Sequence, residues 1–334
     1  MIDLTTEYLG LELANPIVAS AGPLTARIET LIELEAAGAS AVVLPSLFEE
    51  DIVAAATRSH AVHSTGYEVF AEATTHLPEL GGPDAIDRAV ARVETAKARL
   101  TIPVIASLNG VTAGAWTGYA SALADAGADA LELNLYFVAA DAHGHAAAIE
   151  RRCVDVVRMV RDAVSIPLAV KVGPTFTAFA HLAAELDDAG ASGLVLFNRF
   201  VQPDIDLDAL DVITHMRLSD SEDLGPSLRW IAILHGVVGC SLACSGGVHT
   251  PEDAVKATLA GADVVMSTSA LLRNGPGHVA ALREGMASWF EAREYTSIAQ
   301  ARGSVSRGAV ANPDVYERSQ YVAALRRASD QLWY

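Results

Sequence analysis

The sequence predicts a (β/α)8 barrel, in which eight short parallel strands alternate with eight helices and close into a cylinder. Two observations indicate this fold. Four segments share one pattern, in which an alanine-rich amphipathic stretch ends in Ala-Gly-Ala and a short apolar strand follows. Between them lie strands of a second type, most of which open with proline. The two types alternate through to the eighth strand, and an open doubly wound sheet, the alternative, explains this alternation less well.

The glycine-type strands each follow the end of a helix. A glycine that takes a positive φ ends a helix, and a buried strand can follow at once. The four Ala-Gly-Ala sequences precede strands at residues 41–44, 130–133, 193–196 and 264–266.

The strands of the second type lie between these. Proline is tolerated at the first residue of a strand, where no ladder hydrogen bond is lost. All eight strands are nearly continuously apolar, as expected for strands buried on both faces. The second type comprises residues 15–18, 102–105, 166–170 and 242–244. We expect helices near residues 28–37, 85–100, 114–126, 146–164, 179–189, 227–236, 251–260 and 278–292.

Three long segments interrupt the repeat. Residues 46–83 and 199–226 follow strands two and six, at the strand ends where barrel active sites are built, so we expect each to form a lid or an interface. Residues 293–334 form a C-terminal extension. Residues 5–13 are predicted to form a hairpin that closes the barrel floor.

The composition limits the classes of partner. A chain of 334 residues that is 51% hydrophobic can bury a large core, and we treat residues 1–334 as a single domain. The net charge of −18 argues against nucleic acid, because an acidic surface repels phosphate. No apolar run reaches the ~18 residues of a membrane span. The N-terminus does not resemble a secretory signal. We therefore expect a cytoplasmic protein without a membrane partner.

The cysteine and histidine spacings predict no metal site. The three cysteines, Cys153, Cys240 and Cys244, match neither a disulfide framework nor an iron–sulfur or zinc pattern. The histidines of the first insertion also lack ligand spacing; they are His60, His63 and His76.

The loops after strands seven and eight predict a phosphate site. Gly246 and Gly247 follow strand seven, and Thr268 and Ser269 follow strand eight. Glycines beside a helix N-terminus expose backbone N–H groups, hydroxyls add donors, and this pair of loops is the usual phosphate site of a barrel. The alternative is that the two glycines form only a turn.

Lys171 ends strand five among apolar residues, so its ammonium group needs an anionic or electron-rich partner. It could form a Schiff base, stabilise the negative charge of a reduced flavin, or form a structural ion pair. Asn134 and Asn198 end the neighbouring strands, and an amide offers both a donor and an acceptor to the edge of a pyrimidine-like ring. A lysine between two asparagines favours the flavin.

Five stretches carry a resemblance to a known family. They are residues 15–22, 132–135, 170–172, 245–276 and 295–299, and the fourth matches without a gap. In them the sequence resembles the dihydroorotate dehydrogenase family, whose members are FMN-dependent barrels. The resemblance covers most of the barrel and is weak in both long insertions. From it and the strand-end residues we expect these FMN-binding residues: Ala21, Gly22, Ser46, Asn109, Asn134, Lys171, Asn198, Gly225, Gly246, Gly247, Thr268 and Ser269.

The sequence also departs from that family. Pro45, before Ser46, stands where the family has a lysine, and Phe137 stands where it has a cysteine or serine base. An asparagine-rich substrate loop is not recognisable in residues 60–80. The flavin site is thus kept while the dihydroorotate site is not.

A relocated base and an anion-binding residue are candidates. His143 and His145 lie in the loop after strand four and could act as the base alongside Lys171, or be solvent-exposed loop residues. Arg199 could bind an anionic substrate or pair with Asp204.

The resulting hypothesis is an FMN-dependent oxidoreductase that transfers hydride from a small substrate, other than dihydroorotate, to the flavin. The electron acceptor is unknown, since no G-x-G-x-x-G dinucleotide fingerprint follows the first strand. Three alternatives stay open. They are a dihydroorotate dehydrogenase of pyrimidine biosynthesis with a relocated base, a non-catalytic flavin- or phosphate-binding subunit, and a lyase that uses Lys171 covalently. We expect a homodimer.

Overall fold

The computed structural model describes most of the chain and contains thirteen strands in its described part. The described residues are 2–48, 85–109, 113–135, 138–199, 201–214, 217–318 and 321–332. The strands are β1 (Thr6–Tyr8), β2 (Leu11–Leu13), β3 (Ile17–Ala19), β4 (Ala41–Val43), β5 (Leu47–Phe48), β6 (Val104–Asn109), β7 (Ala130–Leu135), β8 (Leu168–Val172), β9 (Gly193–Leu196), β10 (Pro203–Asp206), β11 (Asp211–Thr214), β12 (Ser241–Ser245) and β13 (Val264–Ser267).

Eight of these strands form a closed parallel barrel. Their order around it is β3, β4, β6, β7, β8, β9, β12 and β13, and β13 pairs with β3 to close the cylinder. The short β5 pairs in parallel with the C-terminal end of β6. The predicted (β/α)8 barrel is confirmed, and each predicted strand coincides with an observed one.

Helices separate the barrel strands at the predicted places. Ala-Gly-Ala ends three of them with Gly38, Gly127 and Gly190 at φ of 97°, 96° and 98°, the left-handed conformation that the sequence pattern requires. The described helices are α1 (Ile28–Ala36), α2 (Ala85–Arg99), α3 (Ala113–Asp125), α4 (Ala146–Ala163), α5 (Phe179–Asp188), α6 (Gly225–Leu234), α7 (Pro251–Ala260), α8 (Ser269–Asn274), α9 (His278–Glu291), α10 (Ile298–Ala301), α11 (Asp314–Glu317) and α12 (Tyr321–Leu332), with 3-10 turns at Pro23–Ala26 and Ser221–Leu224.

The barrel interior is closed from below by the predicted hairpin. β1 and β2 pair antiparallel, with Thr6 opposite Leu13. Tyr8 and Leu13, each 1% exposed, pack into an interior cluster that includes small residues of the strands. Alanines at that level leave room for the Tyr8 ring. A second, larger apolar cluster fills the layer between the barrel and its helices.

The second insertion contains a hairpin of its own. β10 and β11 pair antiparallel, with Asp206 opposite Asp211, and the side chains of the pair are mostly exposed. The first insertion is described only up to Phe48. Within the described ranges, no helix is long and apolar enough to cross a membrane.

Candidate functional site at the barrel mouth

Three predicted site residues lie side by side where the strands end. The register pairs Asn109 of β6 with Asn134 of β7, and Asn134 with Lys171 of β8. All three are buried. Because paired residues of parallel strands point to the same face, their side chains share the barrel mouth.

Lys171 is held by two partners. Its ammonium Nζ donates to Oε1 of Glu132 and to the hydroxyl of Ser20, each at 3.4 Å. Glu132 is fully buried and Lys171 is 7% exposed. The ion pair that the sequence offered as one interpretation is therefore present, and it does not exclude a role for the ammonium towards a ligand.

Asn134 connects three strand ends. Its Nδ2 donates to Ser107 Oγ at 2.9 Å and to Ser46 Oγ at 3.3 Å. Its Oδ1 accepts from Asn198 Nδ2 at 3.1 Å. The Ser46 and Ser107 hydroxyls are 2.7 Å apart. This network fixes the Asn134 side chain at the mouth.

These side chains form one hydrogen-bonded group, because Ser107 Oγ also donates to Glu132 Oε1 at 3.5 Å. We call it the mouth cluster, and it comprises Ser20, Ser46, Ser107, Glu132, Asn134, Lys171 and Asn198.

The predicted phosphate loops lie next to one another beyond β12 and β13. Gly246 and Gly247 have φ of 87° and 78°, a conformation that favours glycine. Among the described residues, no protein acceptor takes the amide N–H of either glycine or of Thr268 and Ser269. These N–H groups are the kind of donors that bind a phosphate.

The glycine loop is fixed from behind by one buried carboxylate. Asp253 Oδ2 accepts from the amides of His249 and Thr250 at 3.1 and 3.0 Å, and from Ser221 Oγ at 2.6 Å. The Thr250 side chain caps the N-terminus of α7. The conformation of the loop is thus set without a ligand.

A second link joins this loop to the loop after β13. Ser219 is buried, its amide donates to Ser269 Oγ at 3.1 Å, and its hydroxyl lies 2.9 Å from His249 Nε2. Burial, with the charge of Arg273, lowers the pKa of His249. A neutral imidazole is therefore favoured in this link.

The other three predicted backbone positions adjoin the same loops. A Cβ added to Gly22 would lie 2.6 Å from Thr268 Cγ2, and Thr268 Oγ1 donates to the carbonyl of Ala21 at 3.4 Å. Gly225 begins α6 directly after Leu224, whose backbone a Cβ on Gly247 would overlap. The structure therefore brings Ala21, Gly22 and Gly225 to the phosphate loops.

Arg199 does not contact the acid that the sequence offered as its partner. Arg199 does not pair with Asp204: its Nη2 lies 3.7 Å from Asp223 Oδ2, and its Nη1 donates to the carbonyl of Arg217 at 3.1 Å. The predicted pairing is wrong because Asp204 lies on the exposed β10, where its carboxylate accepts from the Ile205 amide.

The histidines proposed as a relocated base are exposed. His143 and His145 lie between β7 and α4, and in the described part of the chain neither ring makes a hydrogen bond. The solvent-exposed interpretation is therefore favoured in this conformation. Phe137 and the histidines of the first insertion (His60, His63 and His76) lie outside the described residues, and no metal-binding group of His, Cys, Asp or Glu occurs within them.

Comparison with known proteins agrees with this geometry. A sequence profile described as dihydroorotate dehydrogenase matches residues 3–290. The chain belongs to the dihydroorotate dehydrogenase family. The enzymes of this family are flavin-dependent oxidoreductases that act on a CH–CH group, and their cofactor is FMN.

Three of the similar proteins come from archaea. One, from Aeropyrum pernix, is provisionally named dihydroorotate dehydrogenase A (fumarate) and is 30% identical over 62% of this chain and 69% of its own length. Two are named catalytic subunits of dihydroorotate dehydrogenase B (NAD(+)). The one from Thermoplasma acidophilum is 26% identical over 92% of this chain and 100% of its own length. The one from Methanothermobacter thermautotrophicus is 26% identical over 90% of this chain and 97% of its own length.

The residues at the mouth fit FMN. Four backbone N–H groups that have no acceptor among the described residues, two of them on left-handed glycines, suit its phosphate. A buried ammonium next to two amides suits the edge of its ring, which gains negative charge on reduction. Within the described part of the chain, one oxygen of Glu132 has no hydrogen-bond partner, so the cluster is not closed upon itself.

Sequence reasoning missed three members of the mouth cluster, namely Ser20, Ser107 and Glu132. A signal was present. Along β7, alternate residues face the interior, so Ala130, Glu132 and Asn134 share one face, and a charged residue there needs a partner of opposite charge.

Proposed function

We propose that this member of the dihydroorotate dehydrogenase family oxidises a small substrate other than dihydroorotate. The observation that carries the proposal lies at the end of β4, where the resemblance implies a lysine. Pro45 is half-buried there, and Ser46 contributes a neutral hydroxyl to the mouth cluster. A hydroxyl cannot supply the positive charge that a lysine offers to an anionic substrate.

A second departure supports the same proposal. Phe137 stands in the sequence where the family has a cysteine or serine base, and its side chain cannot accept a proton. Cys153 and Cys244 do not replace that base. Cys153 and Cys244 are buried in the apolar packing, and burial raises the pKa of both thiols.

Each group at the mouth has a distinct proposed role. When bound, FMN supplies the acceptor for the hydride. Gly246, Gly247, Thr268 and Ser269 would hold its phosphate, and Lys171 would place a positive charge beside the ring. Asn134 and its neighbours in the cluster, Ser46 and Asn198, would orient the ring and the substrate against it, together with Asn109 beside Asn134.

The electron acceptor is proposed to be a second protein or a small oxidant supplied from outside this chain. The sequence lacks a dinucleotide fingerprint after its first strand, and two similar proteins are named catalytic subunits, which implies further subunits in those enzymes. The homodimer remains a prediction, to be measured by size-exclusion chromatography with light scattering.

Anaerobic mixing with dihydroorotate tests the proposal. FMN-loaded protein is mixed with dihydroorotate while the absorbance of the oxidised flavin is followed. We expect no bleaching, whereas dithionite bleaches the same sample. Rapid bleaching that is lost in His143→Ala or His145→Ala would contradict the proposal and support dihydroorotate oxidation with a relocated base. Bleaching that both variants retain would contradict it too and exclude these histidines.

A further inference from the structure

Glu132 places a carboxylate inside the barrel, in register with Ser107 of β6. It is 0% exposed, and its register partner on β8 is Ala169. One oxygen, Oε1, contacts Lys171 and Ser107, and the other, Oε2, has no hydrogen-bond partner among the described residues.

This arrangement is costly for folding. A buried carboxylate loses its hydration, and an ion pair regains that loss only when hydrogen bonds satisfy all its oxygens. When apolar side chains of similar volume replace a buried ion pair, the folded state is often equally stable or more stable. The half-satisfied carboxylate therefore points to a role towards Lys171 rather than to stability alone.

The pair has a defined orientation. Glu132 lies one inward-facing level closer to the floor than Asn134, which is in register with Lys171. Ser20, at the end of β3, contacts the same ammonium. Two partners from two other strands therefore fix the ammonium at the mouth, on the side where the flavin ring is proposed to lie.

The charge of Glu132 acts throughout this interior. Tyr8 rises from the floor hairpin, and its hydroxyl is buried without a partner in the described part of the chain. Burial and the charge of Glu132 hold the pKa of this hydroxyl well above its usual range. The negative charge of Glu132 also weakens the positive field of Lys171 at the mouth, because the carboxylate and the ammonium both lie in a poorly screened interior.

We propose that Glu132 is a positioning residue, which fixes the Lys171 ammonium at the mouth and lowers the reduction potential of bound FMN by offsetting part of the lysine charge. The inference rests on the proposed flavin site. A net positive charge beside the ring favours the reduced flavin, which carries more negative charge, and Glu132 limits that preference.

The test measures the midpoint potential of bound FMN in Glu132→Gln, Lys171→Met and the double variant. Glu132→Gln removes the negative charge with little change in volume. We expect its potential to rise by about 30 mV or more, which is a tenfold change in the equilibrium of a two-electron couple. Lys171→Met should lower the potential.

The double variant decides whether Glu132 acts through Lys171. Lys171→Met leaves Glu132 no ammonium to position, so adding Glu132→Gln should raise the potential of Lys171→Met by less than it raises that of the parent. An equal rise in both backgrounds would show that Glu132 does not act through the lysine and would overturn the proposal. A parental potential in Glu132→Gln would also overturn it.

Asp263→Asn is the matched control, because Asp263 is a mostly buried carboxylate at the barrel floor that pairs with Arg302 instead of Lys171. We expect the parental potential there.

If Glu132→Gln yields no folded protein, Glu132→Asp keeps the charge but moves it away from Lys171. A rise in its potential supports the proposal, and no change overturns it. Failure of the parent to bind FMN would overturn the flavin site as well, whereas binding with unchanged potentials overturns this inference alone.

Discussion

The side-chain amide of Asn198 donates a hydrogen bond to Oδ1 of Asn134 at 3.1 Å, which joins the chain after β9 to the end of β7 across β8. Lys171 lies on the strand between them. The amide of Asn134 is thereby held in one orientation, with Nδ2 towards Ser46 and Ser107. A polar group oriented in this way contributes to ligand affinity without losing further conformational entropy on binding.

Asn134→Ala should therefore weaken FMN binding about tenfold, because removal of one partner from a buried network costs about 1–3 kcal/mol. Fluorescence titration of the apoprotein with FMN measures the change. Asn312→Ala is the control, since Asn312 is exposed and its side-chain Oδ1 accepts from the Asp314 amide, far from the mouth cluster in the sequence. An unchanged dissociation constant in Asn134→Ala would remove Asn134 from the site.

Lys171→Ala should slow reduction of the flavin by substrate or dithionite about 100-fold, since the loss of one electrostatic donor costs about 3 kcal/mol. Stopped-flow absorbance measures the rate. The control is Lys256→Ala, whose ammonium is largely exposed near Asp253. A parental rate with full FMN occupancy would contradict the role of Lys171. Borohydride trapping of a substrate adduct on Lys171 would instead support the lyase.

The two glycines of the phosphate loop should respond differently to alanine. At Gly246 a Cβ would lie 3.8 Å from Arg199 Cδ, which is ordinary contact, so Gly246→Ala costs only the left-handed strain of about 1–2 kcal/mol. At Gly247 it would overlap the Leu224 backbone, so Gly247→Ala should lower the thermal midpoint much further. A valine at Gly247 would likewise disturb the fold itself.

Gly246→Ala is thus the informative variant, and its FMN affinity should fall while the protein remains folded. Gly10→Ala is its control, because Gly10 has a similar φ of 74° and no neighbour near its Cβ, and it lies on the floor hairpin. Equal FMN affinity in the two variants would argue that the Gly246 loop does not hold the phosphate.

The cysteines should be unreactive in the native protein at pH 8. Burial raises the pKa of Cys153 to about 11, and it also raises the pKa of Cys240 and Cys244. Since the thiolate is the reactive form, labelling with a disulfide reagent should be slow in the folded protein and should reach all three thiols after unfolding. Rapid labelling of one thiol in the native protein would contradict this prediction and make that cysteine a candidate for the base.

Much of the fold could be predicted from sequence because its signals are local. Helix-ending glycines such as Gly127 and Gly190 fix where each unit turns. The partners of side chains depend on the closed barrel, so Glu132 beside Lys171 could be inferred only once strand register was known. The same holds for Arg199, which pairs with Asp223 twenty-four positions on because the chain folds back over the glycine loop.

The central claim is that the mouth holds a flavin by its phosphate, and titration of the apoprotein with FMN and with riboflavin tests it most directly. Riboflavin lacks only the phosphate, so it keeps the contacts of the ring with Asn134 and Lys171 but not those with the loops at Gly246 and Thr268. We predict one FMN per chain and a riboflavin affinity at least about 100-fold weaker, since charge-assisted hydrogen bonds contribute about 1.5–3 kcal/mol each. Equal affinities, or no binding of FMN, would contradict the account.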